Sequence, residues 1–176
     1  FQEIFTHRGI GTLLTSSYPN TIRRAELSDV MDISLLMKPY VQSGVILPVL
    51  ENDLARDIAD YYVYTVNNSI VAAAKLTIYD DSAEMAKFCT LPRYQGKGRA
   101  HELALKLIDT AKNAGKKSIF ALSIDPRMFE FFQNLGFSEC DRTDLPDNWR
   151  NKYDLARPSK AFRLMIQSDT PAKKLI

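Results

Sequence analysis

Histidine and cysteine are scarce in this chain: 176 residues hold two of each, His7, His101, Cys89 and Cys140. There is no C-x-x-C and no Cys/His spacing of the kind that ligates zinc, so no metal centre is expected. Neither histidine stands in a motif that would activate a nucleophile, and His101 reads as a solvated helix residue. Two distant cysteines in a charged, Lys-rich domain point to reduced thiols and a cytoplasmic protein, with Cys89 buried in a strand. Net charge is also small, +2 and evenly scattered, which gives no footprint for nucleic acid. No apolar run reaches the length of a membrane span, and the N-terminus lacks a basic region followed by a hydrophobic core, so no membrane partner is expected.

Against those absences, 45% of the residues are hydrophobic and 25% charged, enough for one domain with its own core. The chain opens on Phe1 rather than Met, which suggests a piece of a longer protein. Residues 1–20 mix Gly9, Gly11, Ser16, Ser17 and Pro19 with few periodic apolar positions and read as a connector. Residues 21–166 form the expected domain and residues 167–176 a tail.

Within the domain a strand is expected at 22–25, then a helix N-capped by Ser28, carrying Val30, Ile33, Leu36 and Met37 and ending near Pro39. Leu54 and Ile58 suggest a second, short helix. Apolar runs at 63–66 and 70–78 flank Asn67, Asn68 and Ser69, a hairpin turn. A strand at 84–90 follows, then a helix with Leu103, Leu107, Ala111 and Ala114 at helical spacing, stopped by Gly115. A strand at 118–124, a helix at 128–135 ended by Gly136, a strand from Phe137, a long loop at 144–156 and a last strand at 160–166 complete the order. Hairpin strands followed by βαβα and a final hairpin give a mixed α/β sheet.

The most informative segment is 90–100, TLPRYQGKGRA. Gly96 and Gly98 allow positive φ and close backbone approach at the start of a helix, whose free N–H groups and dipole favour anions. Lys97 and Arg99 add charge. A dinucleotide fingerprint does not continue after Ala100, and a phosphate-loop GxxxxGK[ST] is missing.

Gln95, Gly98 and Ala100 fill the Q-x-x-G-x-[GA] positions of the acetyl-CoA signature, and the segment resembles the GNAT superfamily of N-acetyltransferases. Within it, EMAKFCTLPRYQGKGRA aligns without a gap to the corresponding run of bacterial N-acetylglutamate synthases. FFQNLGF at 131–137 and YDLARPSK at 153–160 resemble two further synthase motifs, and EIFTHRGIGTLL at 3–14 is similar to the connector that leaves their amino-acid-kinase-like domain. The resemblance implies the GNAT fold, a mixed and mostly antiparallel central sheet flanked by helices. It implies acetyl-CoA as cosubstrate, L-glutamate as acceptor in arginine biosynthesis, and a fused kinase-like domain; a homo-oligomer is left open.

An amine acetyltransferase needs a grip on acetyl-CoA, a base for the ammonium and a donor for the oxyanion. The 95–100 turn (Gln95, Gly96, Lys97, Gly98, Arg99, Ala100) would hold the pyrophosphate, and the backbone of Phe88, Cys89 and Thr90 would pair with the pantetheine arm. Glu84 is the candidate base, against the alternative of a solvated glutamate at a strand end. Lys87 would meet a substrate carboxylate, which by strict alternation requires a bulge to bring it to the face of Glu84. Arg157 is the candidate bidentate carboxylate ligand with Ser159 as neutral donor beside it.

Two departures from the synthase pattern stand out. The segment 44–50, GVILPVL, lacks the arginine usual there, and Phe132 occupies the place of the tyrosine acid of many relatives, which leaves Ser123 as a candidate acid. Two other functions stay in play: N-acetylation of another amino acid or amine, and a regulatory domain that binds acetyl-CoA without turnover.

Overall fold

The computed structural model describes residues 20–166; the expected connector and the 167–176 tail lie outside them, apart from Asn20. Seven strands form one sheet in the order β1-β2-β3-β4-β5-β7-β6: β1 (Thr21–Arg24), β2 (Tyr61–Val66), β3 (Ser69–Ile78), β4 (Ser82–Thr90), β5 (Ser118–Ser123), β6 (Ser138–Cys140) and β7 (Lys160–Met165). All neighbours are antiparallel except β4 and β5. Five helices flank it: α1 (Val30–Gln42), α2 (Glu51–Arg56), α3 (Arg99–Asn113), α4 (Pro126–Asn134) and α5 (Asp147–Arg150). The expected mixed, mostly antiparallel architecture is therefore present.

Strand alternation divides the core between the two faces. Tyr62 and Tyr64 of β2 pack with Leu103, Leu107 and Ala111 of α3 and Phe132 of α4. Their neighbours Tyr61 and Val63 face the other way, onto Ile33 and Leu36 of α1 and Leu54 of α2. Leu103 and Leu107 are wholly buried, each contributing about 1.5–3 kcal/mol through removal of apolar surface from water. The α3 stripe thus fixes the helix, and with it the turn that precedes it, against β2, β3 and β4.

Three local expectations change. Ser28 does not cap α1, because a short 3-10 turn, Leu27–Asp29, intervenes; Asp29 Oδ2 instead accepts from the Glu26 N–H at 2.8 Å. Pro39 does not end α1 but lies within it. Its ring sits on the exposed face, where the missing N–H leaves no buried group unpaired, and the helix continues to bring Tyr40 over the end of β4. Phe137 precedes β6 rather than starting it and is buried in the core.

The sheet is irregular where β4 passes between its neighbours. Pairing of β4 with β5 covers only residues 82–85, so the later half of β4 has no β5 partner. On the other edge Ala73 stands opposite Cys89 and Lys75 opposite Ala86, so Lys87 and Phe88 together face Ala74. Lys87 takes φ +60. That is the bulge the sequence required to turn Lys87 onto the face of Glu84.

Candidate active site

The bulge opens a cavity of about 630 Å³ walled by β3, β4, the end of β5, the 45–47 segment and the 149–157 loop. Glu84, Lys87, Ser123 and Arg157 all line it. Residues from three distant parts of the sequence are thereby brought together.

Glu84 is not a solvated strand-end residue. Trp149 Nε1 donates to its Oε1 at 3.1 Å, and the Tyr79 hydroxyl donates to its Oε2 at 3.3 Å. Burial pushes its pKa above the ordinary carboxylate range, against these two hydrogen bonds and the positive charges of Lys75 and Lys87. A carboxylate accepts at about four lone-pair sites, so both oxygens keep capacity for an incoming donor. Sequence reasoning missed Trp149 and Tyr79. The usable signals were that Trp149 is the one tryptophan and that Lys75, Thr77 and Tyr79 alternate onto the cavity face.

The Lys87 ammonium donates to Leu47 O at 3.1 Å, and burial lowers its pKa to about 8, opposed by the charge of Glu84. Arg157 uses one terminal nitrogen to donate to Gly44 O at 2.8 Å and Val45 O at 2.9 Å, tying the cation-free segment to the cavity rim. Ser123 Oγ accepts from the Asp125 N–H at 3.0 Å, which leaves its own proton to donate.

Ser159, expected as a neutral donor beside Arg157, is only 8% exposed and accepts from the Tyr153 hydroxyl at 2.8 Å. Its neighbour Tyr153 lines the cavity and stacks on Trp149 at 4.5 Å between ring centroids.

The Gly-rich turn lies at the far end of β4. Gly96 and Gly98 have φ of +69 and +78, and a Cβ at Gly96 would meet nothing within 4 Å. Gly98 is the N-cap of α3 without any side-chain hydrogen bond to the helix, so the N–H groups of the first turn, from Arg99 and Ala100 onward, lack side-chain caps. Arg99 Nε is buried with no partner among the described residues, although the guanidinium lies 5.1 Å over the Tyr64 ring. Lys97 sits over the Tyr94 ring at 5.7 Å. An open cradle, uncapped amides and an orphaned guanidinium nitrogen together suit a phosphate-bearing ligand.

The strand residues proposed to meet the same ligand differ among themselves. The Cys89 thiol donates to Ala73 O at 3.6 Å, and burial pushes it up to about 12; its side chain is core. Phe88 packs edge-on to Phe131 at 5.6 Å. At Thr90 the Tyr40 hydroxyl already bridges both main-chain groups, donating to the carbonyl at 2.7 Å and accepting from the N–H at 3.0 Å. Gln95 Nε2 donates to the same hydroxyl at 2.9 Å. A ligand pairing with Thr90 would therefore displace Tyr40, a residue the sequence reading did not single out.

Among the described residues no group of three or more His, Cys, Asp and Glu could hold a metal ion, and no helix is long and apolar enough to cross a membrane.

The chain is similar to the amino-acid acetyltransferase of Pasteurella multocida, 32% identical over 169 residues that make up 95% of this chain and 38% of that protein. The Escherichia coli K12 amino-acid acetyltransferase is 29% identical over 163 residues, 92% of this chain and 36% of the relative. This chain thus spans little more than a third of the length of either. The domain superposes with a TM-score of 0.80 on N-acetylglutamate synthase from Neisseria gonorrhoeae complexed with coenzyme A and N-acetyl-glutamate, at 24% identity, covering 86% of this chain and 36% of that one. At that identity the likeness speaks for the fold alone. The model of the acetyltransferase (GNAT) family matches residues 27–137, and with well over half of the chain so matched, the protein belongs to the GNAT family of acetyltransferases.

Proposed function

We propose that this domain transfers acetyl from acetyl-CoA to the α-amine of an amino acid, L-glutamate by preference, in the service of arginine biosynthesis in the cytoplasm. The observation that carries the proposal is the convergence of Glu84, Lys87 and Arg157 on one cavity beside the half of β4 that has no β5 partner. A carboxylate base and two carboxylate-binding cations are what an amino-acid acceptor needs.

Acetyl-CoA supplies the acetyl group as a thioester. The residues fit its phosphates through the Gly96–Gly98 turn, the first-turn amides of α3 and the Arg99 guanidinium. Glu84 takes the proton of the acceptor's ammonium, directly or through a water. Its raised pKa brings it nearer to neutrality, where a base is both ionised and strong enough to act. Lys87 and Arg157 hold carboxylate and so point the amine toward Glu84. Ser123, which keeps a donatable proton, serves the leaving thiolate. No covalent enzyme intermediate is needed, and the core thiol of Cys89 is unsuited to one. Because the relatives extend far beyond the matched region, we also place this domain in a larger protein with an amino-acid-kinase-like domain.

The test is thiol release from acetyl-CoA across a panel of amino acids, with Glu84→Gln in parallel. Glutamate should lead the panel, and Glu84→Gln should lower kcat on the order of 10²-fold near neutral pH. Cofactor binding by calorimetry without turnover on any amine would instead support a purely regulatory domain.

A further inference from the structure

Resting on that reading, we propose that Lys75 is a specificity-determining residue that receives the side-chain carboxylate of the acceptor. A dicarboxylate acceptor presents two anionic groups, and the cations assigned so far are partly engaged. Lys87 donates to Leu47 O, one Arg157 nitrogen is taken by Gly44 and Val45, and residues 44–50 carry no charge of their own.

Lys75 supplies what is missing. It lies on β3 opposite Ala86, two residues from Thr77, which is opposite Glu84, and it lines the same cavity. Alternation keeps Lys75 and Thr77 on one face, and the charge of Lys75 is felt at both Glu84 and Lys87. Its side chain is 17% exposed and lies beside the Tyr61 ring, with Nζ 5.5 Å from the centroid. That ordering limits the entropy lost when it takes up a ligand.

The partner of Lys75 does not cancel it. Asp57 Oδ2 accepts from Nζ at 2.8 Å, while Asp57 Oδ1 accepts from Arg56 Nε at 3.0 Å, and Arg56 in turn donates to Asp53 Oδ1 at 2.7 Å. An ammonium has three donors, and this contact uses one. Over the whole cavity, five Lys and Arg side chains face three carboxylates. Arg56 also pairs with Asp53, outside the lining, so one positive charge is left over, which matches the single net negative charge of a dicarboxylate acceptor whose amine is protonated.

The experiment compares kcat/KM for glutamate and glutamine, which differ only in replacing the side-chain carboxylate by an amide, in the parent, Lys75→Gln and Lys75→Arg. Thermal unfolding and acetyl-CoA titration of each variant report on the fold. Lys75→Gln should lower kcat/KM for glutamate roughly 10- to 150-fold, the range for losing a hydrogen bond to a charged group, while the value for glutamine changes less than about threefold. Lys75→Arg should recover most of the glutamate preference. A glutamate-to-glutamine ratio that stays at the parental value in Lys75→Gln overturns this role and leaves the proposed function standing. A parent that acetylates neither amino acid overturns the proposed function itself, and this inference with it. Should Lys75→Gln fail to fold with Asp57 left short of a partner, the double variant with Asp57→Asn removes both charges and is read by the same ratio.

Discussion

Trp149 holds Glu84 from 65 positions away in sequence: its indole N–H donates to Oε1 at 3.1 Å. The indole is itself fixed, stacked on Tyr153 and edge-on to Phe120 at 5.7 Å between centroids. Helix α5, which carries it, has only four residues, too few to be stable alone. The position and charge of the proposed base therefore depend on a loop anchored by aromatic packing rather than by local helix propensity.

Trp149→Phe keeps most of that packing and removes the donor. A hydrogen bond to the ionised form favours ionisation, so its loss raises the Glu84 pKa further above the ordinary carboxylate range. The acidic limb of the kcat profile should move to higher pH. Near pH 6 the fall should be roughly tenfold, the effect of a lost interaction of about 1.4 kcal/mol, and at alkaline pH it should shrink. An acidic limb that stays where the parent has it would separate Trp149 from the chemistry.

Lys87 sets the other limb. With its pKa lowered to about 8 by burial, the ammonium that meets an acceptor carboxylate is lost above that pH, and KM for the acceptor should climb. Lys87→Arg stays charged throughout and should flatten the climb. The same shift has a stability consequence with a definite sign. Between about pH 8 and the usual lysine value near 10.4, the unfolded chain binds a proton that the folded one has released, so stability rises with pH in that window. Urea midpoints at pH 7.5 and 10 should show a steeper rise for the parent than for Lys87→Met; equal slopes would mean that Lys87 titrates normally.

Gly98 combines a conformational and a binding requirement. Its φ of +78 disfavours any side chain, although the nearest atom to an added Cβ, Glu102 Oε1, is 3.9 Å away. Gly98→Val should therefore lose on the order of 1–2 kcal/mol from backbone strain and, separately, lose acetyl-CoA affinity by blocking backbone approach to the pyrophosphate. Gly115 is a control, with φ +70 and no neighbour within 4 Å at the other end of α3. Gly115→Val should show a similar stability loss with cofactor affinity intact. Equal affinities in titrations of the two variants would remove the turn from cofactor binding.

Much of this was legible in the sequence because it is periodic or local. The apolar runs of β2 and β3 around their hairpin turn, the α3 stripe and the Gly96–Gly98 turn each announce themselves within a dozen residues. The need for a bulge also followed from spacing, since Glu84 and Lys87 are three apart and a strand repeats every two. Partnerships between distant segments left no local signal. Trp149 on Glu84, Tyr40 on Thr90 and Asp57 on Lys75 are made by tertiary packing, and none of the three pairs is marked by spacing. Ser159 was legible only by motif position, and its bond from the Tyr153 hydroxyl is likewise a product of packing. Pro39 misled because its helix-ending tendency is a statement about interior N–H groups, and its own face is solvent.

Arg157 is the most demanding case, because it holds the protein as well as the proposed ligand. One guanidinium nitrogen binds the Gly44 and Val45 carbonyls, and the planar fork leaves other N–H donors for a carboxylate. Arg157→Ala removes both contacts. The carboxylate loss corresponds to about 1.5–3 kcal/mol, a fall of roughly 10- to 150-fold in kcat/KM for glutamate, and release of the 44–45 carbonyls adds disorder at the cavity rim. Arg157→Lys separates the two roles: an ammonium keeps the charge but cannot span the carbonyls and a bidentate carboxylate at once. It should recover only part of the loss, chiefly in KM. Acetyl-CoA affinity should be nearly unchanged in both variants, since the phosphate turn belongs to a separate element. Steady-state kinetics with parallel cofactor titration decide the matter: an unchanged kcat/KM for Arg157→Ala makes the residue a rim clamp alone, and a matching fall in acetyl-CoA affinity assigns it to the other ligand.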